Sequence, residues 1–329
     1  MSLIKKGIKE GVGWGVRRTY FRSRLPKGLN VILMYHRVVD ALPGGMYEPA
    51  VFVTARTFEM HLEELSKVFE LVPLTDLVRY GRREKGLCAI TFDDGWLDTY
   101  EVAFPILKRH RAPAAVFVPT GLVGTANPFW FEDLMALANR AAGLGEEGRF
   151  IRWFSRAFPA WEAGGLGMES VCALTAVMKR TPGCDPKETV YRAYRDLGVE
   201  RPAGRDIIGW EHMAEMSRGG ISFGPHGSRH RILPLLDRGM KREEIFGPLE
   251  VLRDPGISFV PVFSYPNGDW DEECLAMVRE AGYAGAVSTR FGYNGPHTDP
   301  FLLRRIGLHD YISFTPSLFW FRMCQAFFG

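Results

Sequence analysis

Two groups of residues in the sequence have the types and spacing needed to bind a metal and move protons. Asp93 and Asp94 are adjacent, and His226 and His230 are four residues apart. Histidines at i and i+4 lie on one face of a helical turn, so both imidazoles can reach one ion. Two nitrogens and one carboxylate are typical of a catalytic divalent-metal site, for which zinc is the first choice and cobalt, nickel, manganese or iron are alternatives. The neighbouring carboxylate then stays free to take a proton from the attacking water.

The elements that position these residues are short apolar segments alternating with amphipathic stretches. Strands are predicted at 30–35, 88–92, 114–118, 221–223, 259–265 and 284–289, and helices near 56–69, 96–110, 241–252 and 270–281. Strands that are apolar throughout and alternate with helices indicate a parallel sheet covered on both faces, either a barrel or a doubly wound sheet. The loops after such strands converge on one face. The polar residues at these strand exits are His36, Asp93, Asp94, His226, His230, Asn267, Arg290 and His309.

Residues 127–210 interrupt this alternation with helical patterns and no convincing strand, and we predict a helical insertion that caps one end of the sheet. The 329 residues suffice for one large domain or two ordinary ones, and 46% hydrophobic with 24% charged residues argue against a disordered chain. Five cysteines without a CxxC pair argue against a disulfide framework or a thiolate metal site, and they indicate a reducing compartment.

The two ends of the chain differ from the rest in composition. Residues 1–27 form a basic arm with eight Lys or Arg against one acid, and residues 311–329 form an aromatic-rich tail with seven aromatics. Both ends either pack on the barrel or lie on the anionic inner face of a membrane. No apolar run is long enough for a membrane span, and no secretory h-region is visible, so we predict a cytoplasmic protein, with peripheral contact at the inner membrane surface as one of the two alternatives for its ends. The net charge of +3 is too small to indicate nucleic acid as a partner.

Several motifs carry a family resemblance. TFDDG at 91–95 and HGSRH at 226–230 resemble the first two motifs of the polysaccharide deacetylase family, the NodB-like carbohydrate esterases. MYHRV at 34–38, FSYPNG at 263–268 and LLRRIGL at 302–308 resemble the branch associated with bacterial exopolysaccharide and cell-envelope synthesis. The resemblance implies an α/β fold, a distorted (β/α)7 barrel over residues 28–310 interrupted by the insertion. It also implies Asp93 as the general base and Asp94, His226 and His230 as the metal ligands.

The third and fifth motifs depart from the family pattern. Where the family has RxPY, this chain has SYPN, so Ser264 replaces the arginine and Asn267 replaces the tyrosine, whose backbone N–H serves the oxyanion hole. Arg290 either takes over from the missing arginine or is a surface cation. His309 is either the general acid or a solvated loop histidine. Four further residues are expected to contact the substrate or support the metal ligands, namely His36, Trp96, Tyr265 and Pro266.

The resemblance implies a metal-dependent hydrolase that removes N-acetyl groups from the amino sugars of a bacterial polysaccharide or a lipid-linked glycan. Two alternatives stay open at this point. One is a metal amidohydrolase acting on a small amide that is not a sugar. The other is a glycan-binding relative without catalytic activity, although a pure binder has no need of Asp93, Asp94, His226 and His230 together.

Overall fold

The computed structural model describes residues 29–80, 86–126, 129–202 and 206–327. The predicted arm at 1–27 lies outside these residues. The described residues fall into two compact units. The first takes its residues from 29–42, 49–125 and 207–327, and the second from 43–48 and 126–206.

The first unit is built around a sheet in which every strand pair is parallel. In spatial order the sheet runs β7, β6, β5, β1, β10, β9, β8, and the short β4 pairs with β5 on one side. Its strands are β1 (Val31–Tyr35), β4 (Glu70–Leu71), β5 (Leu87–Phe92), β6 (Ala114–Val118), β7 (Ile221–Pro225), β8 (Val262–Ser264), β9 (Gly285–Phe291) and β10 (Leu303–Gly307). Two further strands, β2 (Arg37–Val39) and β3 (Phe52–Thr54), pair only with each other.

The two ends of the sheet meet and nearly close it into a barrel. The backbone N–H of Phe223 on β7 donates to the carbonyl of Ser258 at 2.7 Å, and the N–H of Val260 donates back to the Phe223 carbonyl at 2.9 Å. These bonds join β7 to the segment that leads into β8. The result is a nearly closed barrel of seven parallel strands with helices around it, which confirms the predicted distorted (β/α)7 fold.

Helices of the first unit pack on the outside of the barrel, and their apolar faces cover the strands. The long helix α1, for example, buries Phe58, Leu62 and Leu65 at the spacing that the amphipathic pattern predicts. The helices of the first unit are α1 (Ala55–Ser66), α2 (Leu74–Tyr80), α3 (Phe104–His110), α8 (Trp210–Arg218), α9 (Arg238–Leu252), α10 (Glu272–Glu280), α11 (Asp310–Ser313) and α12 (Pro316–Gln325).

The segment predicted as one helix over 96–110 differs in detail. Residues 97 and 98 are α-helical, Thr99–Ala103 form a π-helical turn, and the regular α-helix α3 follows from Phe104. Pro105 accounts for the difference, because proline has no N–H to donate to the carbonyl four residues earlier. The N–H of Phe104 instead reaches the carbonyl of Thr99, five residues back.

The strand register brings the predicted site residues to one edge of the barrel. Leu33 on β1 lies opposite both Ile90 on β5 and Ile306 on β10. As a result the N–H of Asp93 donates to the carbonyl of Tyr35 at 2.9 Å. The same parallel pairing continues beyond two other strand ends. The N–H of His226, directly after β7, donates to the Val118 carbonyl on β6 at 2.9 Å, and the N–H of Leu308, directly after β10, donates to the Met34 carbonyl on β1 at 3.1 Å.

The second unit is helical and has its own apolar core. Its helices are α4 (Trp130–Gly143), α5 (Glu147–Ala157), α6 (Met168–Arg180) and α7 (Pro186–Leu197). Buried members of its core include Leu134, Phe150 and Phe154. Residues 207–210, which we assigned to the insertion, belong to the first unit, because Ile207 forms a bridge with Trp96 and Trp210 begins α8. The role of this unit as a cap stays a prediction.

A short segment that precedes the insertion in the sequence by about 80 residues also belongs to this second unit. No sequence pattern indicated this. Residues 43–48 cluster with the inserted helices. Met46 and Asn139 exchange two hydrogen bonds of 2.7 Å each, one donated by the Met46 backbone N–H and one by the Asn139 side-chain amide. The Asn139 side-chain amide thus bonds to the Met46 backbone as the backbone of a neighbouring strand would, and it holds the segment against α4.

The aromatic-rich tail contains α12, which packs on the barrel. Phe319 and Trp320 are fully buried, and the Trp320 indole donates to Glu64 Oε2 at 2.7 Å. These two aromatics are therefore part of the core, whereas Tyr311 and Phe314 remain exposed. None of the helices in the described part of the chain is long and apolar enough to cross a membrane.

His61 on α1 connects β1 to the tail, and it makes the stability of the protein depend on pH. Its Nδ1 accepts from the Tyr35 hydroxyl at 3.1 Å, its Nε2 donates to the Ser313 carbonyl at 2.8 Å, and its ring stacks on Phe319. Burial lowers the pKa of His61 from 6.5 to about 4. The unfolded chain therefore binds more protons between these values, and the free energy of unfolding decreases as the pH falls through this range.

Between pH 7 and pH 5, we expect the free energy of unfolding of the wild type to fall by about 2 kcal/mol more than that of the His61→Gln variant, because glutamine does not titrate. Urea unfolding at the two pH values measures this difference. Equal losses in the two proteins would mean that His61 is not the responsible group.

Candidate metal centre and active site

Three side chains at the barrel edge form a cluster that fits a metal ion. Asp94 Oδ1 lies 3.5 Å from His226 Nε2 and 3.3 Å from His230 Nε2. The three ligand atoms are all within 4.8 Å of one another. Asp94 Oδ1 is buried and has no hydrogen-bond partner among the described residues. A buried carboxylate oxygen without a partner is costly, and a divalent cation between the three atoms would satisfy it.

Two of the three ligands, Asp94 and His226, are held by a second contact that leaves the metal-facing atom available. The Trp96 indole donates to Asp94 Oδ2 at 3.1 Å, which turns Oδ1 toward the histidines. The Nδ1 of His226 donates to the Ser264 carbonyl at 2.8 Å, which leaves Nε2 as the basic nitrogen. Burial lowers the pKa of His226 to about 4, so the imidazole is neutral at pH 7, as a metal ligand must be.

Backbone strain is concentrated in the same place. Among the described residues, four that are not glycine have a left-handed φ, and three of these are Asp94 (φ 76°), His230 (φ 58°) and Asn267 (φ 58°). Each such residue costs about 1–3 kcal/mol and persists only where the surrounding structure enforces it. Strain of this kind is typical of functional sites.

Asp93 points into the barrel and pairs with an arginine that we did not predict. Arg305 on β10 donates from Nη1 to Asp93 Oδ1 and from Nη2 to Asp93 Oδ2, both at 2.7 Å. The guanidinium is fully buried. Burial alone would raise the pKa of Asp93, but the Arg305 charge and hydrogen bonds outweigh it and hold this pKa well below its usual range. Asp93 is therefore an ionised carboxylate in a fixed orientation.

The remaining donors of Arg305 are satisfied by three neighbours inside the barrel. Its Nε donates to the Ser288 carbonyl at 2.9 Å, Nη1 to Thr91 Oγ1 at 3.3 Å, and Nη2 to Ser264 Oγ at 3.3 Å. All five N–H groups thus have an acceptor, which is what makes burial of this charge tolerable. Ser264 occupies the position of the motif arginine, and Arg305 brings the guanidinium from another strand.

Arg290 does not pair with Asp93. It is exposed near the end of β9, and its guanidinium lies over the Trp270 ring at 4.8 Å from the centroid. Of the two alternatives for Arg290, its position fits the surface cation, and the arginine that contacts Asp93 is Arg305. The LLRRIGL motif contains two adjacent arginines, Arg304 and Arg305, and the structure buries the second of them.

Two further histidines, His36 and His309, follow the neighbouring strands β1 and β10. His36 follows β1 directly, is half-buried, and lies close enough to lower the pKa of Asp93 through its charge. His309 follows β10, and its Nδ1 is buried without a hydrogen-bond partner among the described residues. Burial, together with the nearby charge of Arg322, lowers the pKa of His309 to about 4. His309 is therefore neutral at pH 7 in the free protein.

The SYPN segment ends β8 and forms the turn that follows it. Pro266, Asn267 and Gly268 form a 3-10 turn after β8, and the Asn267 side-chain amide donates to Asp269 at 2.9 Å. Tyr265 is fully buried against Phe263 and cannot contact a substrate, contrary to one of our two expectations for it. Trp96 is buried as well, and its contact with Asp94 supports a metal ligand.

Comparison with known proteins agrees with this geometry. The sequence profile of the polysaccharide deacetylase family matches residues 80–154 and 191–286, which together exceed half of the chain. These stretches contain Asp93, Asp94, His226, His230 and Asn267, whereas Arg305 and His309 lie outside them. No curated protein sequence matches the chain.

Three solved structures share the fold. They are the Streptococcus pyogenes deacetylase PplD in complex with acetate (TM-score 0.57, 18% identity, covering 91% of this chain and 97% of that chain), IcaB from Ammonifex degensii (0.54, 20%, 89% and 97%) and the BpsB deacetylase domain from Bordetella bronchiseptica (0.51, 16%, 86% and 97%). The match to the family profile and the barrel fold lead to one conclusion. The chain belongs to the polysaccharide deacetylase family.

Proposed function

We propose that this protein is a metal-dependent hydrolase that removes N-acetyl groups from the amino sugars of a bacterial polysaccharide or lipid-linked glycan. The observation that carries the proposal is Asp94 Oδ1, which has no hydrogen-bond partner among the described residues and is buried between the Nε2 atoms of two histidines, next to the ionised Asp93. Family membership supports the sugar deacetylation, and the ligand set supports the dependence on metal.

Asp94, His226 and His230 would hold the ion, with zinc as the best fit to two imidazoles and one carboxylate. When bound, such an ion polarises the acetyl carbonyl and makes water more acidic. Asp93 takes the proton of the attacking water, and Arg305 keeps its carboxylate in place during that transfer. The backbone N–H near Asn267 is the proposed donor to the oxyanion.

His309 is the proposed donor of a proton to the departing amine. Because its pKa of about 4 leaves it neutral at pH 7, it can deliver a proton only after receiving one during the reaction, and the proton that Asp93 takes from the water is the one available. The His309 Nδ1 has no hydrogen-bond partner among the described residues and can accept that proton. The products are a free amino sugar and acetate.

We expect chelation of the metal to lower acetate release from N-acetylated oligosaccharides by about two orders of magnitude or more, and added zinc to restore it, because an ion in such a site contributes several kcal/mol to the transition state. Mass spectrometry of the glycan measures acetate release, and elemental analysis measures the metal content of the protein. Circular dichroism of the chelated protein is the control for folding.

The choice of substrate decides between the proposals. Acetate release from free and from lipid-linked N-acetyl sugars identifies the natural form of the glycan. Hydrolysis of small amides without hydrolysis of either sugar form would replace the proposal with the amidohydrolase alternative. Binding of glycan without any acetate release in the presence of zinc would identify a binding protein.

A further inference from the structure

The turn that carries the two histidines lies on a buried carboxylate that belongs to neither the metal ligands nor the proton carriers. Glu244 on α9 is only 3% exposed. Its Oε2 accepts two backbone hydrogen bonds, from the N–H of Ser228 at 2.8 Å and from the N–H of Arg229 at 2.9 Å. Both donors lie between His226 and His230 in the sequence, so one oxygen atom anchors the middle of the turn.

The opposite side of the same turn is held by the loop that follows β6. The N–H of Gly121 donates to the Ser228 carbonyl at 2.7 Å, and the N–H of Thr120 donates to the Gly227 carbonyl at 3.3 Å. The turn is thus fixed from both sides, by its carbonyls on one side and by its N–H groups on the other. The two N–H contacts are made to one side chain, that of Glu244, and the Ser228 hydroxyl adds a bond to the Glu243 carbonyl at 3.0 Å.

Gly227 is shaped to admit this carboxylate. It has a left-handed φ of 72°, and a Cβ atom at this position would lie 2.5 Å from Glu244 Oε2. Such a distance is far inside van der Waals contact, so the carboxylate can reach the turn only because residue 227 has no side chain. The strained φ of 58° at His230 lies at the end of the same turn and needs the surrounding contacts to persist.

We propose that Glu244 is a positioning residue that sets the metal affinity of the site by fixing the histidine turn relative to Asp94. The proposal rests on the metal centre of the proposed function. We assign the effect to the acceptor oxygen rather than to the charge, because both short bonds go to Oε2, whereas Oε1 lies 4.0 Å from the Arg231 guanidinium. Partners that orient metal ligands in this way typically contribute a factor of about 10–100 to metal affinity.

Two substitutions at this position separate the acceptor from the charge. Glu244→Leu keeps much of the volume and removes the acceptor, whereas Glu244→Gln keeps an oxygen with two lone pairs and removes the charge. We expect zinc affinity, measured by competition with a chromophoric chelator, to fall about tenfold or more in the leucine variant and to stay within about threefold in the glutamine variant. The absorption spectrum of the Co²⁺-loaded protein is expected to change in the leucine variant only.

Glu243→Leu is the matched control, because this neighbour on α9 is exposed. Wild-type zinc affinity in Glu244→Leu would overturn the proposal, and equal weakening in Glu244→Leu and Glu244→Gln would overturn the role of the acceptor. A wild-type protein that binds no zinc would instead refute the metal centre of the proposed function, so the two failures are distinguishable.

A second pair of variants tests the same contact without changing Glu244, in case the leucine variant does not fold. Gly227→Ala places a methyl group against Oε2, whereas Gly220→Ala imposes similar strain at φ 92° with no atom within 4 Å of the new Cβ. We expect zinc affinity to fall about tenfold in Gly227→Ala and to stay unchanged in Gly220→Ala. Equal affinities in the two variants would contradict the proposal.

Discussion

Replacing Asp93 with Asn is expected to lower acetate release by about a thousandfold while the protein still binds zinc, because an amide cannot accept the proton that a positioned base takes. The substitution leaves Asp94, His226 and His230 in place. It also leaves Arg305 buried opposite a neutral group, so the variant is expected to be less stable than the wild type. Turnover and metal content are therefore both measured at a temperature where the variant is folded.

Asp94→Asn is the reciprocal control, since it makes the same chemical change at the adjacent position. We expect this variant to lose zinc, because it removes the negative ligand that faces both histidines. The two variants thus separate metal binding from proton transfer. Turnover of Asp93→Asn close to the wild-type rate would show that the base is another residue.

The Arg305→Met variant is expected to lose about 3–5 kcal/mol of stability, because it leaves the Asp93 carboxylate buried without its partner. Burial raises the pKa of Asp93, and Arg305 opposes that effect most strongly, followed by His226 and His36. Without the arginine, Asp93 becomes protonated at a higher pH. The acid limb of the pH–activity profile is therefore expected to move to higher pH, which a structural defect alone would not cause.

Urea unfolding of the single variants and of the combined Asp93→Asn and Arg305→Met variant measures the pair directly. We expect the free energy of unfolding to fall less in the combined variant than the sum of its decreases in the two single variants. The reason is that the combined variant leaves neither charge of the pair buried without its partner. Arg290→Met is the matched control, because that arginine is exposed over Trp270 and is expected to leave stability and the pH profile nearly unchanged. An unshifted acid limb in Arg305→Met would refute the assigned role.

The polar residues that follow the barrel strands could be predicted because a local sequence pattern marks each strand end. An apolar segment followed directly by Asp93 and Asp94 is visible without knowledge of the fold, and so is the spacing of His226 and His230. Parallel pairing then brings these residues to one edge whatever the exact order of the strands. The barrel and its candidate metal ligands could therefore be located from the sequence.

Arg305 and Glu244 could not be predicted in this way, because their importance depends on long-range pairing. Arg305 meets Asp93 only because β10 lies beside β1, which in turn lies beside β5, and no local pattern contains that order. Glu244 is one of several acidic residues in a helical stretch, and helical periodicity does not tell which of them reaches a distant turn. For a charged residue, burial follows from its partner and not from its own hydropathy.

Backbone hydrogen bonds within the first unit join the chain just before residue 126 to the chain just after residue 206. The N–H of Gly124 donates to the Ile208 carbonyl at 3.0 Å, and the N–H of Ile208 donates to the carbonyl of Gly95, directly after Asp94, at 2.9 Å. The ends of residues 126–206 are therefore tied together independently of what lies between them, and the entropic cost of a longer loop grows only slowly with its length. The family match breaks off between 154 and 191, within this same segment. Sequence between these ends can thus diverge or change in length while the barrel keeps its register.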